Sequence, residues 1–364
     1  MAPSEQISRR RLLSAFVTGG VFGLPVTGTA GPAVRPRTSI EWDSGSEVLT
    51  PLTRHQDSVL FAGDRTLGKI DLKTSRLIWK REHGLGDEVV YRPRAAGQQI
   101  LTGSLKELGA WELERGRQNW LRLAHTQLGV PFVTPQATFV GDGHELLALN
   151  NRNGEVLWKF GATPDTLSSY APVLADDTVY WGPGDGILYA INASNGREKW
   201  RLDRSAEWQY LRQMYVSNGV LVVGTYKELL IGISPTDGKV LWVFNAGNFI
   251  NSHHVAGTVA YLWSPTGWIY AIDILSGNVR WRHQTTNYGQ LSSNWGAMMA
   301  ELVVHGDLLY ALDMNNVLHL LDINNGEEVR RIPFQQSLRP GVLPGARSWA
   351  IVAIDAGRIQ KTSW

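Results

Sequence analysis

Two adjacent histidines, His253 and His254, follow Asn251 and Ser252. Imidazole is the side chain whose ordinary pKa lies nearest neutrality, so acid–base chemistry would be sought here first. Neighbours along a strand point to opposite faces, which leaves at most one of the two for a shared surface. His253 is the candidate catalytic residue. Upstream, Trp208, Tyr210 and Arg212 are two residues apart, so an extended chain carries all three on one face. Downstream, Asn287, Tyr288, Gln290, Ser293, Asn294 and Trp295 combine the aromatic and amide groups of a ligand rim. Arg92, in the run Tyr91-Arg92-Pro93-Arg94, offers a guanidinium to an anion, although a surface-exposed pair of arginines is the more common outcome of such a run. The candidate ligand-binding set is therefore Arg92, Trp208, Tyr210, Arg212, Asn251, Tyr288, Gln290, Asn294 and Trp295.

Other chemistries are disfavoured by composition. The chain has no cysteine, which removes disulfides, thiolate metal sites and cysteine nucleophiles. The histidines that follow His254, His283 and His305, stand too far apart for a short-spaced metal motif, so no metal is expected. No nucleotide loop, serine nucleophile elbow or zinc-protease motif is present.

The residues that must position these side chains form a repeat. Leu146–Trp158 reads LLALNNRNGEVLW, Leu188–Trp200 reads LYAINASNGREKW and Ile269–Trp281 reads IYAIDILSGNVRW. Further copies end at Trp79, Trp120 and Trp242, and a seventh, Leu318–Arg330, replaces the final tryptophan with Arg330. Each copy has two alternating apolar runs about a tight turn, the signature of a β-hairpin, and most place glycine in that turn. Two more apolar runs precede each hairpin, making four strands per unit, and the tryptophans recur every 38–42 residues. Four strands at that period make a propeller blade.

The ends determine the blade count. After Arg330 the chain supplies three strands, around Gly341–Leu343, Trp349–Ile354 and Arg358–Trp364, and then stops. The missing outer strand stands at the other end as Thr38–Trp42, with its own tryptophan. The fold expected is all-β, an eight-bladed β-propeller whose last blade is completed by the N-terminal strand, with a seven-bladed ring as the alternative. Residues 38–364 form this single domain, and 31–37 are a short linker.

Ser8-Arg9-Arg10-Arg11-Leu12-Leu13, then an apolar stretch and small residues through Ala30, resembles a twin-arginine export signal spanning residues 1–30. The apolar stretch is too short and glycine-rich for a membrane span, and without cysteine there is no lipobox. Removing residues 1–30 leaves 32 basic against 32 acidic side chains, so a broad basic surface for nucleic acid is not expected.

The repeats resemble the quinoprotein-like, or PQQ-like repeat, propeller family from about residue 38 to 364. The resemblance implies that Trp42, Trp79, Trp120, Trp158, Trp200, Trp242 and Trp281 dock between neighbouring blades. It also raises pyrroloquinoline quinone as a cofactor, which is disfavoured: the family's dehydrogenases are much longer, and their cysteine pair has no counterpart here. Envelope assembly factors and sensor domains of this kind imply instead an exported, monomeric binding or scaffold protein, holding a protein or small molecule at the channel mouth, on loops or at a blade edge. A small cofactor-independent tailoring enzyme or an oxidoreductase using the mouth residues is the alternative.

Overall fold

The computed structural model describes residues 26–27, 30–86, 91–208, 210–225, 228–247, 250, 252–264, 267–285, 302–346 and 348–364. Every regular element among them is a β-strand, and the strands form eight sheets. Seven blades are built from consecutive antiparallel strands, over residues 53–82, 94–123, 132–161, 173–203, 211–245, 252–284 and 302–333. First strands of successive blades touch one another, which places them at the centre of the ring.

Blade eight takes its first three strands from the C-terminal end, Leu338–Ala346, Trp349–Ile354 and Arg358–Ser363. Its outer strand is Arg37–Asp43, antiparallel to the third, with Arg37 opposite Ser363 and Trp42 opposite Ile359. The ring is therefore eight-bladed and closed by its own ends, which removes the open seam of a linear array. Second strands such as Ala137–Asp142 are buried at every position, because each blade is covered on both faces by its neighbours. Outer strands alternate between half-buried and exposed, as Gln118–Leu123 and Glu198–Asp203 do.

The tryptophans and the turn glycines are two halves of one contact. Trp79 Nε1 donates to the Leu113 carbonyl at 3.2 Å, and Trp281 Nε1 donates to that of Ile323 at 2.8 Å. Trp120, Trp158, Trp200 and Trp242 do the same to Asn151, Ala193, Pro235 and Ile274. In each case the acceptor lies in the hairpin turn of the next blade. The indole also covers the glycine of that turn: a Cβ on Gly326 would lie 2.4 Å from Trp281, and the residue has φ +75°. Glycine is required there twice, for the left-handed backbone and for the space. Blade one is the exception, with Ser75 at φ 57° accepting from Trp42 at 3.1 Å.

Arg330 now has a reason. Blade eight has no hairpin turn between its third and outer strands, because those strands come from opposite chain ends. A tryptophan at position 330 would have no such turn to cover. The N-terminal segment crosses here instead: Ala33 bridges Arg331 in parallel, Val34 N donates to the Arg331 carbonyl at 2.8 Å, and Arg331 N donates to that of Pro32 at 3.1 Å. Further upstream, Val26–Thr27 pairs in parallel with Arg282 and His283 on the outer strand of blade six. Much of the stretch expected to be a linker thus lies on blade seven.

Truncating a buried tryptophan costs about 3–5 kcal/mol, and forcing a side chain into the left-handed region costs about 1–2 kcal/mol per residue. Trp281→Ala and Gly326→Ala should each destabilise the ring by amounts of that order. Because both break one contact, the double variant should lose clearly less than the sum in denaturant titrations. Trimming the chain past Trp42 should abolish cooperative unfolding of the whole ring, read by thermal denaturation.

Candidate functional site

The entry loops, which carry the chain from one outer strand to the next inner strand, bring several of the expected residues to one end of the ring. Trp208 is buried and packs with Val173, Leu188, Leu211 and Leu221 between blades four and five. Its ring is core. Arg212 is half-buried and donates from Nη1 to the Ile250 carbonyl at 2.7 Å, tying the entry of blade five to that of blade six. Tyr91, beside half-buried Arg92, donates from its buried hydroxyl to the Leu128 carbonyl and so ties blade two to blade three. Tyr210 is 41% exposed and lies over Gly184, where a Cβ would come within 2.9 Å of its ring. Of the described candidates, it is the one with the most open face. Asn251, Tyr288, Gln290, Asn294 and Trp295 lie outside the described residues, as do Asn287 and Ser293.

His253 is 2% exposed. Its ring meets Tyr215 edge-on at 5.3 Å and fills the space that a Cβ on Gly224 would need, at 2.8 Å. It is wedged between blades five and six. Burial pushes the imidazole down to about 3, assisted by the charges of His254 and Arg212. A ring that stays neutral there, and from which water is excluded, is a poor proton acceptor near pH 7. His254 is half-buried on the other face of the strand, as alternation requires, against the same Tyr215 ring at 5.7 Å.

A titratable cluster that residue types did not flag lies in blade seven. His319 is held between two carboxylates, with Nδ1 2.5 Å from Glu328 Oε1 and Nε2 3.2 Å from Asp313 Oδ2. All three side chains are almost fully buried. Desolvation acts against the charged imidazole, but the hydrogen bonds and charges of Asp313 and Glu328 outweigh it and raise the pKa. The available signal was positional, because His319 occupies the repeat position of Tyr189 and Tyr270. Among the described residues, no three His, Asp or Glu side chains are arranged to hold a metal ion.

The outer edges form the second accessible surface. Leu121 and Leu123 of blade two are 43% and 67% exposed, Leu157 of blade three is 55%, and Leu241 and Val243 of blade five are 47% and 45%. These side chains flank the girdle tryptophans, and their strands end their sheets. Among the described residues, only the outer edges of blades six and seven carry an added backbone segment.

A family profile described as outer membrane protein assembly factor BamB, PQQ_2, matches residues 142–360. The chain belongs to this family. Of the curated relatives of the BamB-type chain, the outer membrane protein assembly factor BamB of Bordetella pertussis is 28% identical over 212 residues, covering 54% of each chain. The protein of that name from Yersinia pestis is 23% identical over 273 residues, covering 67% of this chain and 66% of its own. The chain thus spans between about half and two thirds of the length of these two relatives. The crystal structure of BamB from Moraxella catarrhalis superposes with a TM-score of 0.69 at 14% identity, covering 91% of this chain and 98% of that one. At that identity the superposition supports the propeller fold. No helix among the described residues is long and apolar enough to cross a membrane.

The histidines give opposite pH signatures. His253 is neutral in the folded chain and gains a proton below about 6.5 when unfolded, so its contribution is present above that value and is lost as pH falls toward 3. Between pH 6.5 and 5 the loss should be about 2 kcal/mol, absent in His253→Phe when urea unfolding is followed at both pH values. His319 works the other way: its contribution is present below its unfolded value and fades as pH rises through its raised folded value. In NMR titrations the His253 ring should show no transition between pH 5 and 8; a normal transition would place it in water.

Proposed function

We propose that this chain is an exported, monomeric protein-binding scaffold of the cell envelope that holds extended polypeptide segments on the outer edges of its blades. The observation that carries this reading is the chain's treatment of its own N-terminal segment. Val26–Thr27 and Ala33 add in parallel to the outer edges of blades six and seven, the geometry of recognition by strand addition. Blades two, three and five present edges of the same build, with leucine and valine side chains exposed beside them. Unpaired backbone groups supply affinity without regard to sequence, and the apolar side chains select partners with alternating apolar residues.

Family membership and the names of the BamB relatives support a role in assembling envelope proteins. Export through the twin-arginine-like leader, with processing after Ala30, is part of the same proposal. The entry-loop end, with exposed Tyr210 and half-buried Arg92 and Arg212, is a second contact surface for a protein or small ligand. The burial of His253 removes the main support for catalysis there.

Photo-crosslinkers placed at Leu123 and, separately, at Tyr210 in the exported protein discriminate these surfaces. Adducts to envelope proteins should form from Leu123, and Leu121→Lys on the same outer strand should reduce them about tenfold or more, equivalent to about 1.4 kcal/mol, without moving the melting temperature. Adducts from Tyr210 alone would assign binding to the entry loops and refute the edge mode.

A further inference from the structure

The deepest contact of the N-terminal segment is Gly31. Its backbone nitrogen donates to Glu328 Oε2 at 2.6 Å, across 297 residues of sequence. Glu328 Oε1 is engaged by His319 Nδ1 at 2.5 Å, and Asp313 closes the far side of the imidazole while accepting from the backbone of Asn315 and Val317 at 2.8 Å each. Arg331 flanks the site, with Nε 3.4 Å from Glu328 Oε2 and 3.3 Å from the Gly31 carbonyl. Gly31 is buried, whereas Ala30 is exposed. Side chains are refused at position 31, because a Cβ would lie 2.4 Å from the Glu328 carbonyl oxygen and 3.0 Å from Arg330 N, both fixed by the strand.

Glu328 Oε2 presents a buried carboxylate oxygen directly to the Gly31 nitrogen, a position where a charged donor bonds more strongly than an amide. Two buried carboxylates face one imidazole, and the one guanidinium beside them is partly in solvent. A buried carboxylate normally has a cation and a full set of donors. The nitrogen already seated on Glu328 is the atom that becomes an α-ammonium if the chain is cut between Ala30 and Gly31.

We infer that processing at the Ala30–Gly31 bond creates a mature N-terminus whose α-ammonium is bound by Glu328, and that Glu328, His319 and Asp313 form a built receptor for it. Hydrolysis of that amide consumes one water, leaves the carboxylate on Ala30 and the amine on Gly31, and needs no other reactant. The new cation occupies the place the amide nitrogen holds in the uncut chain, now with full charge against the same carboxylate. The parallel ladder of Pro32 and Val34 on Arg331 sets its direction and depth. The site lies at the joint where the tryptophan girdle is interrupted, so processing would tighten the ring at that point. The inference rests on the export reading above, and its test separates the two.

The exported protein is purified from its host and its intact mass measured, then its amines are labelled with an amine-reactive reagent in the native and unfolded states. A mass corresponding to Gly31–Trp364 is expected, and any other start overturns processing at this bond. In the native state the Gly31 amine should label at least tenfold more slowly than after unfolding. E328Q should remove that protection. Because E328Q also disturbs His319, the second comparison leaves every side chain in place: the chain beginning at Gly31 against the same chain retaining Ala30. Retention of Ala30 should expose the amine to labelling and lower the melting temperature by several degrees. Equal labelling and equal melting of those two forms would overturn the receptor even where the mass confirms the cut.

Discussion

An indole seated on the turn of the next blade is the contact on which the ring depends. It joins covalently remote segments at intervals of one blade, combines a hydrogen bond from Nε1 with apolar cover, and, everywhere but beneath Trp42, rests on a glycine. Neither blade of a pair completes this contact alone. In a linear repeat array, each unit is stabilised by its neighbours and the terminal units fray. Closing the array into a ring gives every blade two neighbours, and pairing Arg37–Asp43 with Arg358–Ser363 performs that closure.

One joint cannot use the indole contact. Blade eight is assembled from both ends, so the turn that would receive an indole from blade seven does not exist, and Arg330 stands at the tryptophan position. Residues 31–34 lie across this joint, bonded to Arg331 and to the carboxylate of Glu328. A cluster of apolar side chains including Phe334, Leu338, Val342 and Trp364 packs between blades seven and eight. The constraint that fixes the closure therefore also places the N-terminal segment on outer blade edges. That placement is the physical precedent for an edge-binding scaffold.

The architecture was legible because its signals are periodic. Trp120, Trp158 and Trp200 mark outer strands by spacing, and the unpaired Thr38–Trp42 could be matched to the C-terminal blade by counting strands. The entry-loop residues were read by type, and type does not reveal depth. Trp208 and Arg212 have the chemistry of a ligand rim, but the first packs in a core cluster and the second braces a neighbouring loop. Alternation separated His253 from His254 correctly, yet the inner strands face neighbouring blades as well as the channel, and His253 points into the blade interface. The Asp313, His319 and Glu328 cluster was hidden because its members come from one turn and two different strands. Their trace in sequence is a polar residue, His319, where two other blades carry Tyr189 and Tyr270. Exposed Leu123 and Leu157 have the same local pattern as core leucines, and their openness depends on which strand ends each sheet.

Native-state hydrogen exchange tests the closed ring most directly. A ring closed by its own termini requires the amides of the Trp42–Ile359 ladder to exchange with the same free energy as those of the Val179–Ile191 ladder in blade four, through global unfolding. Exchange of the blade-eight ladder at a markedly lower free energy, while blade four stays protected, would contradict it by showing that the terminal blade opens alone.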